Sequence, residues 1–333
     1  MRFLEQSFDI PSVVHVKEGA GTVLYFRVSL PLNHETVAVV PNMSRALMTA
    51  LRAAERDHHW VKRVVFVGLD PILNAKSSDD TGFQATFTEL LNCLRSLENE
   101  PVQVVWRTRA GINQLPQLKA SRPVFQALAP RLAFEIGLPS LDPEHCEMLE
   151  GRGVEHPNER LRLAEILSAW EVPVRVRIDP LLPMLTDQRN SLDQFFETLV
   201  RVGIARVAVR YLVLTAERAH AIMPRLNRLH REMLKACFAE SPWQQPAKGL
   251  SVYDGAQPFK RLPDHMRESG HQRVLHAASR VGIAVDIMDP VGSSSGVQVK
   301  SNRHRRPSKW REREKRMKAR SNAQMDLFVA GRR

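Results

Sequence analysis

Cysteine is nearly absent from this chain. Only Cys93, Cys146 and Cys237 occur among 333 residues, and no two are close enough in sequence to share one loop. That scarcity excludes a disulfide framework and every zinc arrangement built on Cys-x-x-Cys pairs. The twelve histidines form no His-Glu-x-x-His pattern, so neither His58-His59 nor the pair His265 and His271 supports a metal site. No run of ~18 apolar residues appears and no basic leader precedes a short apolar core, so neither a membrane span nor a secretion signal is expected. A soluble cytoplasmic protein with reduced thiols follows. Gly292-Ser293-Ser294-Ser295-Gly296 lacks the Gly-Lys-Ser/Thr ending of a phosphate loop and reads as a flexible joint.

The formal net charge is +12, but its distribution is uneven. Residues 300–333 carry 13 Lys+Arg against 3 Asp+Glu, which leaves the first 299 residues with 35 basic and 33 acidic side chains. The basicity therefore belongs to the tail and not to a face of the body.

With 43% apolar residues the body can bury a full core. Short runs rich in β-branched residues alternate with helical periodicity, which argues for parallel βα units. Strands are expected at 37–40, 63–68, 102–107, 132–137, 172–178, 206–212 and 284–287. Helices are expected at 44–57, 82–97, 123–129, 157–170, 191–202 and 216–237, with a further Pro-led helical stretch after Asp142. Six or more such repeats with right-handed crossovers predict an α/β fold, a full or partial (β/α) barrel, with a doubly wound sheet as the competing architecture. Polar residues follow strand after strand: Asp70, Thr108 with Arg109, Ser140, Asp179, Tyr211 with Thr215. In a barrel these carboxyl ends face the site, although loops are polar in any case.

A series of short motifs then runs in a recognisable order. Asn33-His34-Glu35-Thr36 precedes a strand and Pro41-Asn42. Val65-Phe66-Val67-Gly68-Leu69 ends in Asp70-Pro71, and Thr108-Arg109-Ala110 follows a later strand. Leu132 to Asp142 is a strand with a polar turn, and Met148-Leu149-Glu150-Gly151-Arg152 comes next. The most specific block is Arg160 to Leu167, Val172-Pro173-Val174, Ile178-Asp179-Pro180-Leu181-Leu182-Pro183 and Thr186-Asp187. Over about residues 19–240 this resembles the radical S-adenosylmethionine proteins of the spore photoproduct lyase, or DNA repair photolyase, type. The resemblance implies a barrel of the radical S-adenosylmethionine type and a loop of three cysteines holding an iron–sulfur cluster, just upstream of the Asn-His-Glu step. Laid on this chain, that loop places Gly19, Val23 and Phe26 at the cysteine positions and Tyr25 at an aromatic one. None of the three can ligate iron, because such clusters are held by soft thiolates.

No cofactor is therefore expected: no iron–sulfur cluster and no metal, with S-adenosylmethionine binding kept only as an alternative. A ligand pocket could survive at the strand ends if Asp70, Arg109, Glu135, Arg177 and Asp179 gather there. Glu135 and Arg177 fall inside strands, and the facing of each depends on a register the sequence does not fix. The simpler reading makes Arg177 and Asp179 an ion pair bracing the turn before Pro180.

The tail offers two features. Arg303, Arg305, Arg306, Lys309, Arg311, Arg313, Lys315, Arg316, Lys318 and Arg320, with Trp310 among them, form a segment too poor in apolar residues to build a core. It is expected to be disordered and to bind DNA or another nucleic acid through phosphates, in a salt-sensitive and sequence-blind way. Beyond it, Gln324-Met325-Asp326-Leu327-Phe328 resembles the peptide that binds the bacterial DNA polymerase sliding clamp. Leu327 and Phe328 would fill an apolar pocket, Met325 its lip, and Gln324 a polar subsite.

The expected organisation is a barrel domain at 1–290, a joint at 291–299 and a basic tail at 300–333. The expected function is a non-catalytic, nucleoid-associated accessory of DNA repair or replication recruited by the clamp. The alternatives are an active barrel enzyme, radical or binding S-adenosylmethionine or a nucleotide, and a plain nucleic-acid-binding module.

Overall fold

The computed structural model describes residues 13–18, 21–31, 37–39, 42–68, 81–129, 131–151, 154–245 and 258–288. Residues 1–293 form one compact unit. The joint at 291–299, the tail at 300–333 with its motif at 324–328, Asn33 to Thr36, Gly19 and Asp70 all lie outside the described residues.

The chain opens with the strands β1 (Val13–Glu18), β2 (Gly21–Arg27), β3 (Ser29–Pro31) and β4 (Val37–Val39), followed by α1 (Met43–Arg56) and β5 (Val61–Val67). Next come α2 (Thr81–Arg95), β6 (Gln103–Thr108), α3 (Leu115–Ala120), α4 (Arg122–Leu128) and β7 (Leu132–Gly137). After these follow α5 (Pro143–Glu150), α6 (Pro157–Ala169), β8 (Val174–Leu181), α7 (Arg189–Arg201), β9 (Arg206–Tyr211) and β10 (Leu214–Thr215). The described part closes with α8 (Ala216–Ile222), α9 (Arg228–Ala239), β11 (Phe259–Lys260), α10 (Asp264–Val281) and β12 (Ala284–Ile287).

One sheet of eight strands, ordered β1-β2-β5-β6-β7-β8-β9-β12, carries the fold. β1 is antiparallel to β2, and each of the later neighbours is parallel. With helices in the crossovers, the sheet curls into a partial α/β barrel. The short pairs β3 with β4 and β10 with β11 stand apart from it.

Period-two alternation assigns every strand residue to a face. Leu24, Phe26, Val64, Phe66, Val104, Trp106, Phe134, Ile136, Val176, Ile178, Val207 and Val209 point to the helices and build the main core. Trp106 stacks on Phe134, and Phe125 of α4 meets both edge-on, with ring centroids 5.1 to 5.5 Å apart. On the helix side, α1 buries Met43, Leu47, Leu51 and Ala54, a stripe at helical spacing. Helix starts follow local chemistry: Asp142 accepts from the N–H of Glu144, Thr215 from Arg218 and Asn227 from His230.

The expected strands appear within about three residues of their ends, the largest difference being β8, which runs on to Leu181. The first hairpin, β1 with β2, was not expected as structure, because residues 19–26 were assigned to a loop. Yet Thr22-Val23-Leu24-Tyr25-Phe26 is a β-branched and aromatic run, buried on both faces as a central parallel strand requires. The helix expected at 216–237 is broken in two around Pro224, which cannot continue an α-helix. Helix α10 escaped the sequence reading because its sequence is largely polar, and its buried face mixes Arg267 and His271 with the small residues Gly270, Ala277 and Ala278.

That face explains a tight approach. A Cβ on Gly270 would lie 1.7 Å from the Tyr211 hydroxyl oxygen, so only glycine lets α10 pass over the end of β9. The Tyr211 hydroxyl donates to Asp187 Oδ2 at 2.7 Å, and Arg273 of α10 pairs with the same carboxylate. Asp187 Oδ1 also accepts from the N–H of Met184, and Thr186 Oγ1 accepts from that of Leu182. The Leu182 to Asp187 block thus folds on itself and ties β8, β9 and α10 together. Gly270→Ala is expected to destabilise the protein by about 1–3 kcal/mol through overpacking, read as a lower urea midpoint with unchanged slope.

Candidate functional site

The opposite face of the sheet, inside the curl, begins as an apolar strip: Val23, Tyr25, Val65 and Val105, with Val67 against them. From there toward β9 it changes character. By register Arg107 sits beside Glu135, and Glu135 beside Arg175. One step further along, Gly137 sits beside Arg177, Arg177 beside Ala208, and Asp286 beside Ala208 from β12. Alternation in three strands, Val105-Trp106-Arg107, Val174-Arg175-Val176-Arg177-Ile178-Asp179 and Val207-Ala208-Val209-Arg210, sends apolar side chains to the helices and charged ones inward.

Glu135 is fully buried and is the hub. Arg107 Nε donates to its Oε1 at 2.5 Å, Arg177 Nη1 lies 3.8 Å from the same oxygen, and Arg175 pairs with Oε2. Asp179 is the second hub: Arg177 Nη2 donates to its Oδ2 at 2.5 Å, and Arg210 approaches the same atom with Nε and Nη2 at 3.0 Å. Arg177 thus bridges the two carboxylates. Burial pushes both carboxyls up, but the guanidiniums around them outweigh it. Arg107, Arg175 and Arg177 hold Glu135 down at about 2. Arg177, Arg210 and Arg218 do the same for Asp179. Arg107 also lies over the Tyr25 ring, 5.7 Å from its centroid.

Of the residues expected to form a pocket, Glu135, Arg177 and Asp179 share this inner face and contact one another, and the ion pair of Arg177 with Asp179 is present. Arg109 lies at the carboxyl end of β6, where its side chain covers Gly137: a Cβ there would meet Arg109 Cγ at 2.8 Å. Its Nη1 is 3.9 Å from Glu150 Oε1. Glu150 in turn pairs with the fully buried Arg160 at 2.6 Å, and Arg160 donates to the carbonyl of Gly137 at 2.8 Å. Several polar residues after strands serve their own turns: Thr108 Oγ1 accepts from Ala110, Ser140 Oγ accepts from Asp142, and Thr215 caps α8. Arg107, Arg175 and Arg210 were missed as site residues. The signal for Arg175 was the recurrence of arginine two residues on, at Arg177, between β-branched residues; Arg107 and Arg210 stand within apolar strands without such a repeat.

Val23 and Phe26 require a correction. They lie inside β2, three residues apart, so alternation sends Val23 to the inner face and Phe26 to the helix side against Phe66. Ligands of one cluster must converge, and these positions diverge. They are core positions of a strand, where a loop was expected.

No protein-family model and no curated protein sequence matches the chain. Solved structures do match. A cysteine-to-serine mutant of spore photoproduct lyase aligns with a TM-score of 0.53 at 11% identity, over 76% of this chain and 68% of that one. A cysteine-to-alanine mutant of the same protein gives 0.54 at 11% over the same shares, and a tyrosine-to-phenylalanine mutant 0.53 at 10% over 75% and 67%. The fold is of the radical S-adenosylmethionine type.

The residues present do not fit the iron–sulfur cluster such a fold implies. Cys93, Cys146 and Cys237 are buried on three different helices, α2, α5 and α9. Burial pushes all three thiols up, Cys146 to about 12, so they stay protonated, whereas a ligand must be a thiolate. Among the described residues no three His, Cys, Asp or Glu side chains group to hold a metal. Nor does the inner face suit acid–base work. Carboxyls held near 2 are ionised at neutral pH and too weakly basic to take a proton.

The acid sensitivity of the fold follows from these two groups. Their folded values lie below the ordinary 4.5 for Glu135 and 3.8 for Asp179. Their contribution is therefore complete above about pH 4.5 and lost as pH falls through about 2. Glu135→Gln is expected to cost about 3–5 kcal/mol at pH 7, since three guanidiniums lose their shared counter-charge. It should also flatten the fall in stability between pH 4.5 and 2, as measured by denaturant titration across that range.

Proposed function

We propose that this protein is a clusterless member of the radical S-adenosylmethionine fold that acts as a non-catalytic accessory of DNA repair or replication, recruited by a bacterial-type sliding clamp. The observation that carries the first half is the placement of its three thiols, each buried, protonated and on a separate helix. Without converging thiolates no cluster is held, and without a cluster no electron reaches the sulfonium of S-adenosylmethionine. Support for the second half comes from the sequence. Gln324-Met325-Asp326-Leu327-Phe328 places two large apolar side chains after a basic, polar segment that offers them no core. The ten Lys and Arg residues from Arg303 to Arg320 give that segment affinity for phosphates. Two weak attachments on one chain raise each other's effective concentration, so clamp and DNA binding reinforce each other.

The first half is tested by anaerobic reconstitution with iron and sulfide, followed by metal analysis and visible absorption. The expected result is no stoichiometric iron and no charge-transfer band; about four irons per chain would overturn it.

The second half is tested on the full chain and on a peptide covering residues 321–333. The peptide is expected to bind the clamp on the order of −7 to −8 kcal/mol, the micromolar range of a short segment ordered on binding. Leu327→Ala with Phe328→Ala should abolish this, since each side chain buries roughly 1.5–3 kcal/mol of apolar surface. In the full chain, replacing the ten basic residues by Gln should remove most duplex binding and its steep salt dependence while leaving clamp affinity nearly unchanged. A double-Ala chain that binds as tightly as its parent would show the motif to be an accident of composition.

A further inference from the structure

On several helices of the body an exposed cation pairs with an acid one turn away, as Arg52 with Glu55, Arg162 with Glu159 and Lys235 with Glu232. The connection between α8 and α9 breaks this habit. From 218 to 231 the chain carries four arginines and two histidines but no Asp or Glu. Arg218 serves the inner face, where its charge acts on Asp179. The other three, Arg225, Arg228 and Arg231, belong to the 3-10 turn Met223–Arg225 and the first turns of α9.

Neutral groups, not carboxylates, position these three side chains. The exposed Arg225 guanidinium lies over the backbone of Gly151, where an added Cβ would come within 3.2 to 3.4 Å of its atoms. The neighbouring carboxylate, Glu150, is buried and paired with Arg160 instead. Arg231 Nη2 donates to the carbonyl of Leu226 at 3.0 Å, which ties it to the residue that follows Arg225. Arg228, between them, is exposed. Among the described residues none of the three forms an ion pair. Arg225 and Arg228 are three residues apart, ~11 Å at full stretch, and Arg228 and Arg231 share one side of α9, so three positive charges crowd a single turn. Stability does not call for this arrangement. Cations in the first turn of a helix oppose its dipole and like charges one turn apart repel, and α9 has no acid in that turn to offset them.

We propose that the turn joining α8 to α9 is the face by which the body of this protein docks on the phosphate backbone of a nucleic-acid duplex, through Arg225 and Arg228 with Arg231 behind them. A duplex carries one negative charge per ~1.7 Å of axis, so a small cluster of unneutralised guanidiniums meets several phosphates at once. Arginine suits them because its planar fork donates paired N–H bonds to phosphate oxygens. The turn offers no aromatic ring on which an unpaired base could stack, so the contact is with backbone and is blind to sequence. The proposal rests on the reading of nucleic acid as a partner and adds a second contact, on the body, to the one in the tail. Leu229, 67% exposed beside Arg228, is the feature that an acidic protein segment would use instead.

The test uses the full-length chain with the ten Lys and Arg residues from Arg303 to Arg320 replaced by Gln, titrated at low salt against a fluorescently labelled duplex of mixed sequence. Weak, salt-sensitive binding is expected to remain. Adding Arg225→Gln with Arg228→Gln should lower it at least tenfold and reduce the slope of log affinity against log salt by about 2, since each neutralised phosphate contributes roughly 0.9. Removing two exposed cations elsewhere, Arg56→Gln with Lys119→Gln, should change it less than threefold. Circular dichroism confirms folding of each variant. No duplex binding by the tail-neutralised chain overturns the proposal, as does equal loss in the two double variants. Tighter binding of a poly-glutamate peptide than of the duplex also overturns it, in favour of an acidic protein partner. The chain with its native tail reports on the tail separately: if the tail contributes nothing, native and tail-neutralised chains bind the duplex equally, whatever the Arg225 and Arg228 substitutions do.

Discussion

The inner face depends on one buried carboxylate. Glu135, fully enclosed in the middle strand of the sheet, neutralises guanidiniums from β6 and β8, and through Arg177 it is joined to Asp179 and so to Arg210 of β9. Four parallel strands that also zip through their backbones, β6 to β9, are thereby cross-linked by charge on the side away from the helices. A lone buried carboxylate would be protonated by its desolvation, and lone buried guanidiniums would be costly. Each is tolerable only because the others are in place. The two faces of the sheet therefore rest on different physics: the helix side on apolar packing around Trp106, Phe125 and Phe134, and the inner side on a lattice of fixed charge.

This lattice fixes the charge state of the inner face. The guanidiniums hold the two carboxyls in their ionised form against the pull of burial, and each carboxylate in turn holds the plane of the arginines that fork it. The three thiols lie apart from it, each buried on its own helix.

Much of the architecture was legible in the sequence because parallel strands buried on both faces leave continuous β-branched runs, and β7 and β12 could be bounded to the residue. The first hairpin was not, since the resemblance implies a loop at residues 19–26, although the run Thr22 to Phe26 has every local mark of a strand. Helix α10 was missed for the opposite reason: its approach to β9 is made by the absence of a side chain at Gly270, and a glycine within polar residues looks like a breaker. Within the site, Glu135, Arg177 and Asp179 could be named but not oriented. Register is a tertiary property, and a shift of one residue would have sent all three into the helix side.

The charge distribution teaches the same lesson in another form. Counting along the chain located the basic excess in residues 300–333 and left the body almost neutral, and that arithmetic is correct. It sums over a surface, however, and a sum conceals segregation. Opposite charges on the helix exteriors are paired locally and exposed, as Arg52 with Glu55 and Lys235 with Glu232, where they are screened and contribute little. The inward positions of β6, β8 and β9 draw from the same pool of arginines, but there their pairing with Glu135 and Asp179 is shielded from water and acts through a lower dielectric. A body near neutrality overall can therefore hold a face built on buried charge, and the alternation of Arg175, Arg177 and Asp179 in β8 is the sequence feature that reveals it.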